Sequence, residues 1–191
     1  LQRDDGHRGP RLRQQFERQY PDYFRLRYNV QTISIKTIQT QLLEEHQALL
    51  EYFVADSSIF AFVINAKSVH WQRLARSSSL DEQVSMLRHA LQVYPQTTGN
   101  MADSMARVYT EQAYQLFEAV FAPIEKNVSL HEKLIVIPDW TLAYLPFECL
   151  LRERPTDASR FKSHPYLMLD YCFGYACSAE QQWMLLQKAP S

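Results

Sequence analysis

The chain has 191 residues, 46% of them hydrophobic and 13% aromatic, so it is long and apolar enough to fold around a substantial core and is not intrinsically disordered. A net charge of −1 gives no overall attraction to nucleic acid or to an anionic membrane, and neither is an expected partner. Four glycines are too few for phosphate-binding loops or for a turn-rich all-β fold. No apolar run approaches the roughly 18–20 residues that cross a bilayer.

The cysteines and histidines show no pattern of a metal site or a disulfide framework. Cys149, Cys172 and Cys177 are odd in number, and none belongs to a C-x-x-C pair. They are predicted to be reduced thiols in a cytoplasmic protein, each behaving as a small apolar residue. The six histidines are scattered without ligand spacing, so no metal and no other cofactor is expected.

The first 22 residues are polar, carry charges of both signs and contain neither an initiator methionine nor an apolar signal core. A helix is possible over residues 11–20, with Pro21 ending it. We therefore predict that residues 1–22 are a linker or the last helix of an upstream repeat region, and that the chain is a piece of a longer protein. Apolar and arginine residues alternate in residues 23–28, which predicts an edge strand with a solvated basic face.

A helix and a hairpin are predicted next. Apolar residues near helical spacing favour a capped helix over residues 34–50. Residues 58–65 and 68–74 are predicted to form a β-hairpin through an Asn-Ala-Lys-Ser turn. His70 and Trp71 lie on the return strand, where a half-buried hairpin face explains them better than a functional site does.

Two longer helices follow in the predicted order. Ser79, followed three residues later by Glu82, has the pattern of a capping box and predicts a helix over residues 79–94. A second helix is predicted over residues 101–121, and Pro123 is expected to end it. The methionines and aromatic residues of this second helix indicate core packing and not a cofactor site.

The clearest strand signal is the uninterrupted apolar run at residues 133–137. Such a run is typical of a strand that is covered on both faces, usually in a parallel sheet. Pro138 lacks an N–H and ends the strand. Asp139 then stands at the carboxyl end of the strand, where α/β proteins often place functional residues.

The remaining elements complete an α/β prediction. A turn and short helix are predicted for residues 146–152, and a polar loop for residues 153–165. A strand bent near its middle is predicted for residues 166–177, and a helix capped by Ser178 for residues 179–188. The order predicts an α/β fold in which a mainly parallel sheet begins with a β-hairpin and is covered by helices.

The sequence contains none of the common catalytic or nucleotide-binding motifs, neither G-x-S-x-G nor a P-loop nor G-x-G-x-x-G. Asp139 and Glu148 would act as a general acid and base if they faced one pocket. We favour the interpretation that Asp139 hydrogen-bonds the backbone of residues 140–142 and that Glu148 fixes a loop. Cys177 precedes a helix N-terminus, which would activate a thiol, but a buried strand-end cysteine is the favoured interpretation.

Residues 133–151 have the pattern Lys-Leu-Ile-Val-Ile-Pro-Asp-x-x-Leu-x-Tyr-Leu-Pro-Phe-Glu-x-Leu-Leu. This pattern closely resembles the signature of the CHAT domain family, caspase-like domains often found behind tetratricopeptide repeats. Residues 49–64 resemble the opening strand of that family, and residues 166–179 resemble the strand and helix cap after the signature. The signature residues, for which a structural role is expected, are Pro138, Asp139, Leu145, Pro146, Phe147 and Glu148.

The resemblance covers roughly residues 30–187 and implies a partial caspase-like sheet related to that of caspases and separase. In active members of the family, a catalytic histidine lies in a later His-Gly motif and a cysteine in a still later Ser-Ala-Cys-x-x-Gly motif. Neither motif occurs here, since no histidine precedes a glycine and Cys177 precedes Ser-Ala in the reverse sense. No catalytic residue is carried over, and the chain itself is predicted to be inactive.

The resemblance thus implies that residues 23–191 are the N-terminal, non-catalytic part of a CHAT-type domain in a parent that resembles a cysteine endopeptidase. Its expected contacts are upstream helical repeats, the catalytic C-terminal half of the same protein, and partners or substrates. Exposed sheet edges predict self-association.

The alternative function is that of a stand-alone interaction module, in a parent protein without peptidase activity. A nucleotide- or phosphate-binding domain is a third, weaker hypothesis, because turns with few glycines do not form a phosphate-binding loop.

Overall fold

The computed structural model describes residues 33–188, which form a five-stranded sheet with helices packed on it. The predicted helix at residues 11–20 and edge strand at residues 23–28 lie outside the described residues. In chain order the strands are β1 (Gln47–Val54), β2 (Ser58–Asn65), β3 (Val69–Ala75), β4 (Lys133–Ile137) and β5 (Cys172–Tyr175). The predicted α/β class is confirmed.

The sheet is mixed, with the strand order β3-β2-β1-β4-β5. β1, β2 and β3 pair as an antiparallel meander, whereas β4 pairs in parallel with both β1 and β5. The predicted β-hairpin is confirmed as β2 and β3, but the antiparallel strand β1 was not predicted and makes the sheet mixed and not mainly parallel. Short turns join the first three strands, and a short turn imposes antiparallel pairing.

Two groups of helices cover the sheet. The helices are α1 (Ile35–Thr37), α2 (Leu80–Val93), α3 (Gly99–Leu116), α4 (Ala122–Asn127) and α5 (Ala179–Lys188). The main core lies between one sheet face and α2, α3 and α4. A smaller cluster on the opposite face joins the α1 segment and α5 to the middle of the sheet.

The main core draws buried side chains from every strand of the meander, from β4 and from α2 to α4. Tyr52 of β1 crosses this core, and its hydroxyl donates a hydrogen bond to the carbonyl oxygen of Val120 at 2.9 Å. Burial of each large aliphatic side chain contributes about 1.5–3 kcal/mol. Large, fully buried members of this core include Leu50, Ile59, Leu80, Leu87, Leu116, Phe121, Ile124, Leu134 and Phe147.

β4 is covered on both faces, as its apolar run predicts. Leu134 and Val136 point into the main core, whereas Ile137 belongs to the smaller cluster on the opposite face. The strand has the predicted bounds, Lys133–Ile137, and both of its partners are parallel.

The predicted helix over residues 34–50 is correct only at its start. The hydroxyl of Ser34 caps α1 by accepting a hydrogen bond from the backbone N–H of Thr37 at 3.1 Å. A π-helical turn over Ile38–Leu42 then ends the helical path, and β1 begins at Gln47. Residues 48–50 are buried in succession, which suits a strand covered on both faces better than an amphipathic helix.

Pro123 does not end the helical path, contrary to prediction. The chain passes from α3 through a π-helical turn over Phe117–Phe121 directly into α4. Pro123 stands in the first turn of α4, where a missing N–H removes no hydrogen bond within the helix.

Two details of α2 and α3 also differ from prediction. Ser79 is the N-cap of α2 but makes no side-chain cap bond, because its hydroxyl pairs with that of Ser77 at 2.8 Å. Met101 was expected in the core, yet its side chain is exposed in the first turn of α3.

The C-terminal region differs mainly in the length of its strand. A 3₁₀ turn over Leu167–Leu169 occupies the start of the predicted strand, and β5 covers only Cys172–Tyr175. The short helix predicted at residues 146–152 is a single 3₁₀ turn over Phe147–Cys149. α5 has the predicted bounds, and the hydroxyl of Ser178 caps it by accepting a hydrogen bond from the N–H of Gln181 at 3.1 Å.

Candidate functional site

The signature segment leaves the sheet at the carboxyl end of β4, beside the carboxyl end of β1. Oδ2 of Asp139 accepts a hydrogen bond from the backbone N–H of Val54 at 2.8 Å. Glu51 and Ile137 are register partners in the parallel β1–β4 pair, so the residues that follow them emerge side by side. The predicted bond to the backbone of residues 140–142 exists, but it is made by the carbonyl oxygen of Asp139, which accepts from the N–H of Leu142 at 3.1 Å. The carboxylate bonds to the neighbouring strand instead.

Trp140 has an unusual backbone conformation directly after Asp139. Its φ is +51°, a region that bulky side chains rarely adopt and that costs about 1–2 kcal/mol for a residue with a Cβ. The indole is 68% exposed. Buried Leu142 and Leu145 anchor the turn that follows. The strained backbone thus presents an aromatic ring to solvent at the carboxyl edge of the sheet.

Glu148 is held by the last strand of the sheet. The hydroxyl of Tyr175 in β5 donates a hydrogen bond to Oε2 of Glu148 and accepts one from the backbone N–H of Phe147 at 2.9 Å. Burial first, and then the bond to Glu148, raise the pKa of Tyr175 well above its ordinary value. The ring of Phe147 stacks on Tyr52 with centroids 5.5 Å apart. Glu148 therefore joins the turn after β4 to β5.

A groove of about 400 Å³ runs between α2 and the signature segment. The guanidinium of Arg88 lies 4.9 Å above the ring of Tyr144 at one side of the groove. Glu148 lines it, but Asp139 does not. Asp139 and Glu148 therefore do not face one pocket, as an acid–base pair would require.

The cysteines divide into one shielded thiol and two exposed ones. Burial, with the nearby charge of Glu148 as the smaller cause, raises the pKa of Cys149 to about 11, so its thiol is protonated at neutral pH. Cys172 and Cys177 are exposed. The expected burial of Cys177 is wrong, because β5 ends at Tyr175 and Cys177 lies in the connection to α5. Among residues 33–188, no hydrogen bond joins a histidine to a cysteine.

Sequence reasoning missed the role of His164, which lay in a segment predicted to be a polar loop. The imidazole is 1% exposed and packs among the rings of Tyr109, Phe161 and Tyr166. Its Nε2 lies 3.2 Å from the carbonyl oxygen of Asp157. The loop is thus anchored by a buried ring, and no local pattern signals such a contact.

A second polar cluster fastens the same region to α4. The guanidinium of Arg152 makes a two-pronged contact with Glu125 at 2.7 and 2.8 Å and donates to Asp170 at 2.6 Å. Tyr171 also donates to Glu125, at 2.5 Å. The hydrogen bond from Arg152 is the main reason that the pKa of Glu125 lies below its usual range.

Within the part of the chain that the structure describes, no three His, Cys, Asp or Glu side chains gather as a metal site. No helix among residues 33–188 combines the length and apolar character needed to cross a membrane. No protein-family model matches the chain, and no curated protein shows significant similarity to it.

Proposed function

We propose that residues 23–191 are the N-terminal, non-catalytic part of a caspase-like domain of the CHAT family. In this proposal the chain supplies half of a sheet, its helical cover and a surface at the carboxyl edge for partners or substrates. The parent protein would be a cysteine endopeptidase whose histidine and cysteine are supplied by a later segment.

The observation that carries the proposal is the position of the signature residues. Asp139 fastens the exit of β4 to β1, and Glu148 fastens the following turn to β5. Both contacts lie at the carboxyl ends of parallel strands, the edge at which open α/β sheets bind ligands. Structural contacts of this kind at that edge fit a scaffold that positions a catalytic segment.

The thiol chemistry supports a non-catalytic role. A nucleophilic cysteine requires a lowered pKa or an adjacent base. Cys149 has a raised pKa, and within the described residues no hydrogen bond gives any cysteine an imidazole partner. Among residues 33–188, no thiol therefore has the neighbouring base that a nucleophilic cysteine uses.

The experiment is an assay of the purified chain against a peptide library, read by mass spectrometry. We expect no cleavage above a blank, and the same result for Cys177→Ser. Cleavage that Cys177→Ser abolishes would overturn the proposal, since it would place a working nucleophile in this chain.

A second candidate is a stand-alone interaction module whose parent protein has no peptidase activity. The exposed rings of Trp140 and Tyr144 favour it, because exposed aromatic residues are enriched where proteins bind one another. The coding sequence downstream of Ser191 separates the two candidates. His-Gly and Ser-Ala-Cys motifs there support the peptidase scaffold, and their absence supports the interaction module.

A further inference from the structure

The outer face of the β1–β2–β3 meander has a large uncovered aromatic area. The α1 segment and α5 cover the part of this face near Leu49, Ile64 and Ile137. Beyond them Phe53 is 58% exposed and Trp71 is 66% exposed. Contiguous apolar surface of this kind marks a site where another segment or protein packs.

The strand register arranges these side chains in rows across the sheet. Phe53 pairs with Phe60, and Phe62 pairs with Trp71. Ring centroids of Phe53 and Phe60 lie 6.4 Å apart, as do those of Phe60 and Trp71. A mainly apolar hollow of about 600 Å³ is lined by Phe53, Phe60 and Phe62, with Val69 also in its wall, and Trp71 lies next to Phe60 outside the lining. We call this surface the aromatic face.

Two carboxylates line the same hollow. Glu51 is the register partner of Phe62, and burial raises the pKa of its carboxyl. Oε1 of Glu180 on α5 is buried and has no hydrogen-bond partner among the described residues. A buried carboxylate oxygen without a donor is costly, so an occupant that brings cations as well as apolar side chains would be favoured.

The described chain begins at the edge of this hollow, because Ile33 and Ile35 line it. Residues 29–32 can span about 13 Å at 3.3 Å per residue. The distance from β1 to β3 is about 10 Å, which is two strand spacings. The linker of residues 29–32 is therefore long enough for residues 23–28 to reach any strand of the aromatic face.

We propose that the aromatic face is a docking surface for residues 23–28 of the same chain. Phe24 and Leu26 would pack on the exposed rings, and the long side chains of Arg25 and Arg27 would bend back past the segment to the carboxylates of Glu51 and Glu180, in place of the solvated basic face expected from the sequence. A short tether gives an effective concentration on the order of millimolar, above that of a second copy in dilute solution. The proposal is independent of the CHAT assignment, since it uses only the described face and the chemistry of the adjoining sequence.

The test is photo-crosslinking of the full chain with p-benzoylphenylalanine in place of Trp71, followed by peptide mapping. Trp71 is exposed, so the replacement should leave folding intact, and the same reporter at exposed Val69 provides a second position. We expect links to residues 23–28 within one molecule. Links to a second copy, detected in a mixture of isotopically light and heavy chains, links elsewhere, or no links from either position would each overturn the proposal.

Two controls make the test specific. The reporter at Met86, exposed on α2, should give no link to residues 23–28. Arg25→Glu/Arg27→Glu should lower the ratio of docked to undocked chain, read as the yield of intramolecular links, by at least about five-fold, because it reverses the charge in both proposed ion pairs. The matched variant Arg11→Glu/Arg13→Glu makes the same charge change outside the segment and should leave the ratio unchanged. Equal ratios in the two variants would refute the charge pairing and with it the proposal.

Discussion

Asp139 and Val54 are joined by a hydrogen bond of 2.8 Å from the backbone N–H of Val54 to the carboxylate of Asp139. The two residues are 85 positions apart in sequence, yet they stand together where parallel strands β1 and β4 end. The bond fastens the turn after β4 to the strand that begins the meander. Asp139 therefore has a structural role, which is to hold the turn after β4 against the end of β1.

Replacing Asp139 should destabilise the fold, because Val54 would lose the acceptor for its N–H. We expect Asp139→Ala to lower the free energy of unfolding by about 1–3 kcal/mol. Asp139→Asn should cost less, since its amide oxygen can still accept the bond. Urea unfolding measures both. Asp81→Ala, which removes a 3.2 Å ion pair with Arg76, should cost below about 1 kcal/mol. Equal costs for Asp139→Ala and Asp81→Ala would contradict this role.

Trp140 offers a test of backbone strain. Glycine adopts a positive φ without a steric cost, so Trp140→Gly should relieve about 1 kcal/mol of strain, offset in part by greater entropy of the unfolded chain. Trp140→Ala keeps a Cβ and should gain nothing. Thermal unfolding of the two variants gives the comparison. A glycine variant less stable than the alanine variant would contradict the strain at position 140, because both variants lack the indole and differ only in the Cβ.

The contact between Arg152 and Glu125 should make stability depend on pH in the acid range. The pKa of Glu125 is lowered in the folded chain from its ordinary value of 4.5, so its contribution is present above that pH and is lost as the pH falls through the folded pKa. Arg152→Met should cost about 1–2 kcal/mol at neutral pH, after allowance for partial solvent exposure. Arg152→Lys should retain only part of the stability that Arg152→Met loses, because an ammonium group cannot reproduce the two-pronged contact.

Denaturant unfolding of these Arg152 variants from neutral to acid pH is the measurement. The difference between the wild-type chain and Arg152→Met should shrink as Glu125 becomes protonated. A difference that stays constant over this range would mean that packing of the Arg152 side chain, and not its charge, provides the stabilisation.

The three thiols should differ in reactivity. Cys172 and Cys177 are exposed and should react quickly with a thiol-specific reagent, whereas Cys149 should react only on unfolding because it is half-buried with a pKa raised to about 11. Mass spectrometry of the alkylated native chain should show two modified cysteines. Rapid labelling of Cys149 in the native chain would contradict the described packing around it.

Sequence patterns correctly predicted the elements that are marked by their own residues and do not depend on distant contacts. The apolar run gave the bounds of β4, and Ser178 with the residues after it gave α5. β1 was mistaken for the end of a helix, because the helical spacing of Ile35, Ile38 and Leu42 runs without a break signal toward Leu49. Only pairing with β2 and β4 decides the conformation of that stretch.

The sequence named candidate site residues but not their contacts. The signature indicated Asp139 and Glu148, yet the partners Val54 and Tyr175 come from distant strands and no local pattern names them. The exposure of Cys177 depends on where β5 ends, which tertiary contacts decide. The sequence therefore indicated the local turn contact of Asp139 but not the bond from its carboxylate to the N–H of Val54 in the neighbouring strand.

The coding sequence beyond Ser191 gives the most direct test of the proposal that the chain is the non-catalytic half of a caspase-like domain. About 150 further codons, one domain's length, are enough to decide. We expect it to encode a strand-end His-Gly motif followed by a Ser-Ala-Cys-x-x-Gly motif. A continuation that lacks both motifs would contradict the claim and leave the interaction module as the better explanation.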